Sequence, residues 1–239
     1  MNDERICDTE ASSMDDKGRF RVVSLADIDW EAERAKSEAE FPGSRYGEPR
    51  DANEKALKDI TEALQAGSEE AIQRALCAHP YAFRYAIAGS GHHGTWAFPK
   101  QMVKPHSADG SKGIIPDFLV ATRSSLGYFW HVVEIKRFDS QFSNKSGTRP
   151  SSDASLATAQ CNRYLTHFQD YIDSVRSLVR VDELVQPIGA VLIIGDSDAE
   201  SPAQRQVRSE HVRNHPRIDV VSYRRILRGL ESDIRSRLH

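Results

Sequence analysis

Two stretches rich in β-branched and aromatic side chains, Ile114 to Thr122 and Tyr128 to Ile135, flank the turn-forming Ser124-Ser125-Leu126-Gly127. That pattern predicts an antiparallel hairpin. With the turn centred between Ser125 and Leu126, Asp117 lies directly opposite Glu134, and opposed residues share a face with Cβ atoms about 4.5–5.5 Å apart. Side chains alternate along a strand, so Glu134 and Lys136 point one way while Ile135 points to the core. The register therefore gathers two carboxylates and an ammonium on one face.

Two ionised carboxylates at that separation repel unless a cation or a shared proton relieves them. Carboxylate oxygens, a backbone carbonyl and water suit Mg²⁺ or Mn²⁺. No Cys-x-x-Cys or paired-histidine spacing near the hairpin suggests zinc. Asp117 and Glu134, with the Ile135 carbonyl, are the expected ligands, and Lys136 is placed to orient water or meet charge on a phosphate. Phosphodiester hydrolysis is the chemistry such a set serves. A solvated sheet face carrying Glu and Lys two apart is the plain structural alternative.

Downstream, Ser152 or Asp153 is positioned to cap a long helix running to about Leu178, with Leu156, Tyr164, Phe168, Tyr171, Ile172 and Val175 as its apolar stripe. Gln160 and Tyr164, four apart, lie on one face. The apolar run Gly189 to Ile194 follows, which predicts strand, crossover helix and buried parallel strand.

Pro116-Asp117, Glu134-Ile135-Lys136, the Gln160-x-x-x-Tyr164 helix and the closing Val-Leu-Ile-Ile-Gly strand together resemble the PD-(D/E)xK, restriction-endonuclease-like superfamily. The likeness is closest to the Shedu-type nuclease domain of bacterial anti-phage defence. The segment Ile218 to Leu227 resembles the last strand and helix of those domains, and the likeness runs from about Glu69 to the C-terminus. It implies a Mg²⁺-dependent DNA endonuclease, with Mn²⁺ able to substitute, assembled as a homo-oligomer and directed at phage DNA. Asp117, Glu134, Lys136, Gln160 and Tyr164 would be its catalytic residues. It also implies one more acidic metal ligand on a helix before the first strand. Glu70 matches that place best and Glu69 second, in a helix capped by Ser68 and ended by Pro80. First-turn glutamates are also favoured by the helix dipole alone.

The formal net charge is −3, which does not announce a nucleic-acid binder, but the charge is unevenly placed. Residues 1–62 carry seventeen acidic against ten basic side chains, and from Arg205 onward nine arginines face four acids. Arg205, Arg208 and Arg213 sit on a predicted helix after Ser201-Pro202, and Arg224, Arg225, Arg228, Arg235 and Arg237 on a terminal helix with an Ile226, Leu227, Leu230, Ile234 docking stripe. The loop from Arg137 through Lys145 to Arg149 is the better DNA-contacting candidate, and its expected freedom would let it close on a duplex.

Cys7, Cys77 and Cys161 have no paired spacing, which fits free thiols in a reducing cytoplasm, and no apolar stretch approaches membrane-spanning length. Residues 1–50 read as a polar N-terminal arm with Phe41 to Gly47 as a loop, and residues 51–239 as the catalytic domain, its first helix opening at Asp51 and stopping at Gly67. Thr95 to Val103 offers a strand interrupted by Pro99. Gly89-Ser90-Gly91-His92-His93-Gly94 lacks the frame of a phosphate-binding loop and reads as a turn. The expected fold class is α/β, a central mixed sheet flanked by helices in a restriction-endonuclease-like core. The rival function is a catalytically silent nuclease fold that binds DNA or protein.

Overall fold

The computed structural model describes residues 28–89, 93–105 and 113–237, with the backbone course of two strands at 10–14 and 20–24. Cys7 and the Ser90-Gly91-His92 part of the glycine-rich turn lie outside the described residues. The chain divides into two compact units, Met1–Pro42 and Gly43–His239, so the division falls ahead of residue 50.

In the first unit, β1 (Glu10–Met14) and β2 (Phe20–Ser24) pair antiparallel. Helix α1 (Trp30–Glu40) begins where the Asp29 carboxylate accepts the Ala32 N–H at 3.1 Å. It buries no residue, as its mostly polar sequence dictates.

The second unit is built on a six-stranded mixed sheet in the order β3 (Arg45–Gly47), β4 (Thr95–Pro99), β5 (Phe118–Ser124), β6 (Gly127–Ile135), β7 (Gly189–Ile193) and β8 (Ile218–Val221). Pairing is antiparallel from β3 to β6 and parallel from β6 to β8. The β5–β6 hairpin has the expected register, from Ser124 opposite Gly127 to Phe118 opposite Val133. Arg45–Gly47, expected as loop, is instead the edge strand. Its Gly47 lies so close to the Tyr81 backbone that an added Cβ would sit 2.5 Å from the Tyr81 nitrogen.

Helices cover both faces. On one, α2 (Glu54–Gln65), α3 (Glu69–Ala78), α4 (Phe83–Ala86) and α7 (Tyr223–Ser236) pack Ile60, Ile72, Leu76, Phe83, Ile226 and Leu230 against Phe118, Val120, Val133, Ile135, Val191 and Ile193. On the other, α5 (Ser152–Val179) packs on β6 and β7, and α6 (Pro202–Asn214) on β8. Among the described residues no helix is long and apolar enough to cross a membrane.

Local capping explains where the helices start. Ser68 accepts the Ala71 N–H at 3.1 Å as expected. Helix α2 is opened by Asn53, not Asp51, because Asp51 sits in the 3-10 turn Pro49–Asp51 and accepts the Glu48 N–H at 2.9 Å. Ser151 rather than Ser152 or Asp153 caps α5. Ser201 and Gln204 form a reciprocal capping box on α6. In α5 the buried stripe is Ala154, Ala157, Cys161, Tyr164, Leu165, Phe168, Val175 and Val179, so the expected Leu156 and Tyr171 are exposed, at 66% and 55%. Small residues near its start allow close approach to the sheet, and a non-helical Tyr171 (φ −137°) shifts the face afterwards.

His131 on β6 is buried, and that burial pushes its pKa down to about 4. The imidazole is neutral in the folded protein near pH 6, whereas unfolded chain binds a proton below about 6.5. Stability carried by this group is therefore complete above pH 6.5 and is lost as pH falls toward 4. Chemical denaturation at pH 7 and pH 4.5 should show a loss in which His131 accounts for about 2–3 kcal/mol, and His131→Leu should remove that part of the pH dependence.

Candidate active site

Asp117 lies just past the end of the β5–β6 ladder. The β5–β6 ladder ends at Phe118–Val133, and the next residue facing Ile135 in that register is Pro116, which has no N–H to give. The Ile135 carbonyl therefore has no ladder donor opposite it, and the Ile135 N–H donates to the Asp117 carboxylate, Oδ2 accepting at 2.9 Å. The Ile135 carbonyl faces the same proline. A side chain thus accepts the last β6 amide on the β5 side.

The Glu134 carboxylate is 4% exposed and held from two directions. Its Oε1 accepts from the Lys136 ammonium at 2.7 Å, and its Oε2 from the Tyr164 hydroxyl at 3.0 Å. Burial first, then the nearby Asp117 charge, lift the Glu134 pKa above the ordinary carboxylate range, with Lys136 and Tyr164 pulling the other way. Burial pulls Lys136 down, but Glu134, Glu69 and Asp117 outweigh it and its pKa is raised. The Tyr223 hydroxyl, at the start of α7, donates to the Lys136 carbonyl at 2.6 Å and fixes that backbone.

Asp117, Glu134, Lys136 and Tyr164 are thus brought together. Gln160 lies one turn before Tyr164 on α5 and is half-buried. Glu70 is not brought in: it is exposed and pairs with Arg74 at 2.8 Å along its own helix. Its neighbour Glu69 is the first-turn acid whose charge acts on Lys136 and on Tyr223. Adjacent helix positions differ by about 100° in direction, so one of the two had to face away.

The segment from Arg137 to Arg149, expected as a free loop, is braced by hydrogen bonds within itself and to α6. Asn144 Oδ1 accepts the Thr148 N–H at 3.0 Å, Ser143 bridges to Pro150, and Gln204 on α6 donates to the Asn144 carbonyl at 3.2 Å. Arg137 is engaged by Asp139 through two nitrogens, while Lys145 and Arg149 are exposed. Of the other arginines considered for phosphate, Arg208 forms a buried ion pair with Glu200, and Arg224 and Arg228 are paired with Asp196 and Asp198.

Two participants were not expected. Lys100, just past β4, donates its ammonium to Asp117 Oδ1. Cys161, one turn before Tyr164 on α5's buried stripe, has its thiol pKa pushed up by burial and then by Glu134, so it stays protonated. Lys100 carried a faint sequence signal in Pro99, which marks the strand end. For Cys161 the signal was its spacing on the α5 stripe.

The donor chemistry fits a hard divalent cation: two carboxylates and a backbone carbonyl facing a proline, all oxygen, with a Glu134 pKa raised by burial and then by the Asp117 charge. Among the described residues no group of three or more His, Cys, Asp or Glu side chains converges, so a cation here would complete its shell with water or substrate oxygens. No family model matches this chain, and no curated protein matches it significantly.

Removing the Tyr164 hydroxyl strands Glu134 Oε2 in a site almost closed to solvent. Tyr164→Phe should lower unfolding free energy by about 1–3 kcal/mol, read by urea denaturation at pH 7. An unchanged midpoint would show that this hydroxyl does not support the carboxylate.

Proposed function

We propose that this chain is a Mg²⁺-dependent DNA endonuclease with a restriction-endonuclease-like PD-(D/E)xK fold, of the Shedu type and acting in anti-phage defence as a cytoplasmic homo-oligomer. The observation that carries the catalytic part of this reading is the convergence of Asp117, Glu134 and Lys136 under the Tyr164 hydroxyl. The family likeness, not the geometry, supplies the phage target and the oligomer.

Hydrolysis adds water across a P–O bond and leaves a phosphate monoester and an alcohol. A divalent cation, Mg²⁺ or Mn²⁺, would supply Lewis-acid stabilisation of the negative charge that builds on the phosphate. Asp117 and Glu134, with the Ile135 carbonyl, would hold it. Lys136, anchored through Glu134 Oε1 and through Tyr223 on its carbonyl, keeps an ammonium facing the same space, where it can orient the attacking water or donate to a non-bridging oxygen. Tyr164 locks the Glu134 rotamer, and Gln160 lies one turn away to meet backbone phosphate. Lys145 and Arg149, exposed on a braced loop, offer phosphate contacts beyond the scissile bond, with Arg137 joining if it leaves Asp139.

The test is nicking of supercoiled plasmid in Mg²⁺ by the full chain. Wild type should convert plasmid to open-circular or linear forms, and Lys136→Ala and Asp117→Ala should each lower the rate by at least about a hundredfold. Equal nicking by both variants would refute the assignment. DNA retention without cleavage would point to a binding module, and cleavage of RNA alone to a related hydrolase with an RNA substrate.

A further inference from the structure

Lys100, Asp117 and Glu134 stand in one row across three adjacent strands. The β4–β5 register ends with Pro99 opposite Phe118, and the next step brings Lys100 opposite Asp117, where the Lys100 N–H donates to the Asp117 carbonyl at 3.0 Å. The chain departs from the strand at that residue, with Lys100 in the left-handed region at φ +49°. A non-glycine residue there costs about 1–2 kcal/mol, so the neighbouring contacts must hold it. They do so from both sides. The Lys100 amide is bound to β5, and three residues on, the Val103 N–H donates to Ile114 at 2.9 Å while the Val103 carbonyl meets the His167 ring of α5 at 2.9 Å.

The charge balance of the site follows. Asp117 and Glu134 are matched by two ammoniums, Lys100 on Asp117 and Lys136 on Glu134, so the cluster of these four side chains carries no net charge with no ion bound, and the Glu69 charge acts on Lys136 from outside it. Adding a divalent cation to it would leave two excess positive charges beside buried carboxylates. The cheapest relief is departure of the ammonium that loses least by leaving. The Lys100 side chain is 52% exposed and Lys136 only 18%, and Lys136 is in addition held beside the Glu134 that Tyr164 fixes.

We propose that Lys100 is a positioning residue that acts as a built-in counter-cation: its ammonium occupies Asp117 Oδ1 until a divalent cation displaces it, and the freed ammonium then faces a substrate phosphate. The displacement rests on the cation site of the hydrolytic reading, and the phosphate contact on its substrate. Lys100 thereby makes cation loading and DNA binding mutually reinforcing, because each favours the same swung-out lysine.

The experiment is Mn²⁺ titration of the full chain followed by electron paramagnetic resonance, at fixed ionic strength, with and without a duplex carrying uncleavable phosphorothioate linkages. Without DNA, Lys100→Met should bind Mn²⁺ about tenfold more tightly than wild type, the size of losing one charge-assisted competitor. Lys100→Gln should do the same, and Lys100→Arg should return to the wild-type affinity. DNA should tighten Mn²⁺ binding in wild type and have a smaller effect in Lys100→Met. Equal or weaker Mn²⁺ binding by both neutral variants overturns the proposal while leaving the cation site standing. If wild type takes up no Mn²⁺ that Asp117→Asn abolishes, the cation site itself fails, and the hydrolytic reading falls with it.

Discussion

The hydrogen bond from the Ile135 N–H to the Asp117 carboxylate is the interaction on which the candidate site depends. A strand pair normally ends by handing its last donors to solvent. Here the ladder ends inside the protein, at Phe118 opposite Val133, and the Ile135 amide beyond it donates to a side chain. A buried Ile135 N–H without an acceptor would cost about 1–3 kcal/mol, and the aspartate beside the proline supplies the acceptor. The same bond fixes the carboxylate opposite Glu134. Backbone satisfaction and placement of the acid are therefore one event.

Once the two acids are fixed, the surrounding elements act to make their proximity tolerable. Lys136 and Tyr164 divide the two oxygens of Glu134 between them, and Lys100 and the Ile135 amide divide those of Asp117. Every carboxylate oxygen has a donor, yet Glu134 still holds its proton more tightly than an ordinary carboxylate. Burial opposes ionisation more strongly than these partners favour it. The Asp117 charge adds to that burial, so the two acids are held together against their own repulsion.

The hairpin was legible in the sequence because a two-residue turn leaves a single register, and a one-residue slip would have turned Ile135 and Val133 out of the core. The α/β class, the strand after α5, the cap at Ser68 and the start of a helix after Ser201-Pro202 were legible for similar local reasons. Lys100 was not, since its place depends on how β4 aligns with β5 across a long connection, and nothing local specifies that. The choice between Glu69 and Glu70 was equally hidden. Both satisfy the helix dipole, and only the packing of α3 on the sheet decides which one turns toward Lys136. On α5 the apolar pattern misled, because Leu156 and Tyr171 are large and periodic, while alanines and Cys161 allow the close contact with the sheet.

The position of the cluster follows from the change of pairing direction at β6. That strand has an antiparallel neighbour in β5 and a parallel one in β7, so β5 begins where β6 and β7 end. Chain entering β5 and chain leaving β6 therefore meet at one edge of the sheet, and Asp117 comes from the first and Lys136 from the second. The segment leaving β7 passes the same edge. Its Gly195, at φ +72°, lies so near the Ser140 carbonyl that a Cβ would sit 2.3 Å from that oxygen, and its own carbonyl accepts the Tyr223 N–H at 3.2 Å. Tyr223 in turn reaches back to Lys136. Side chains at this edge lie past the last ladder pairs and are braced by the helices packed on the sheet, which holds the cluster stiff.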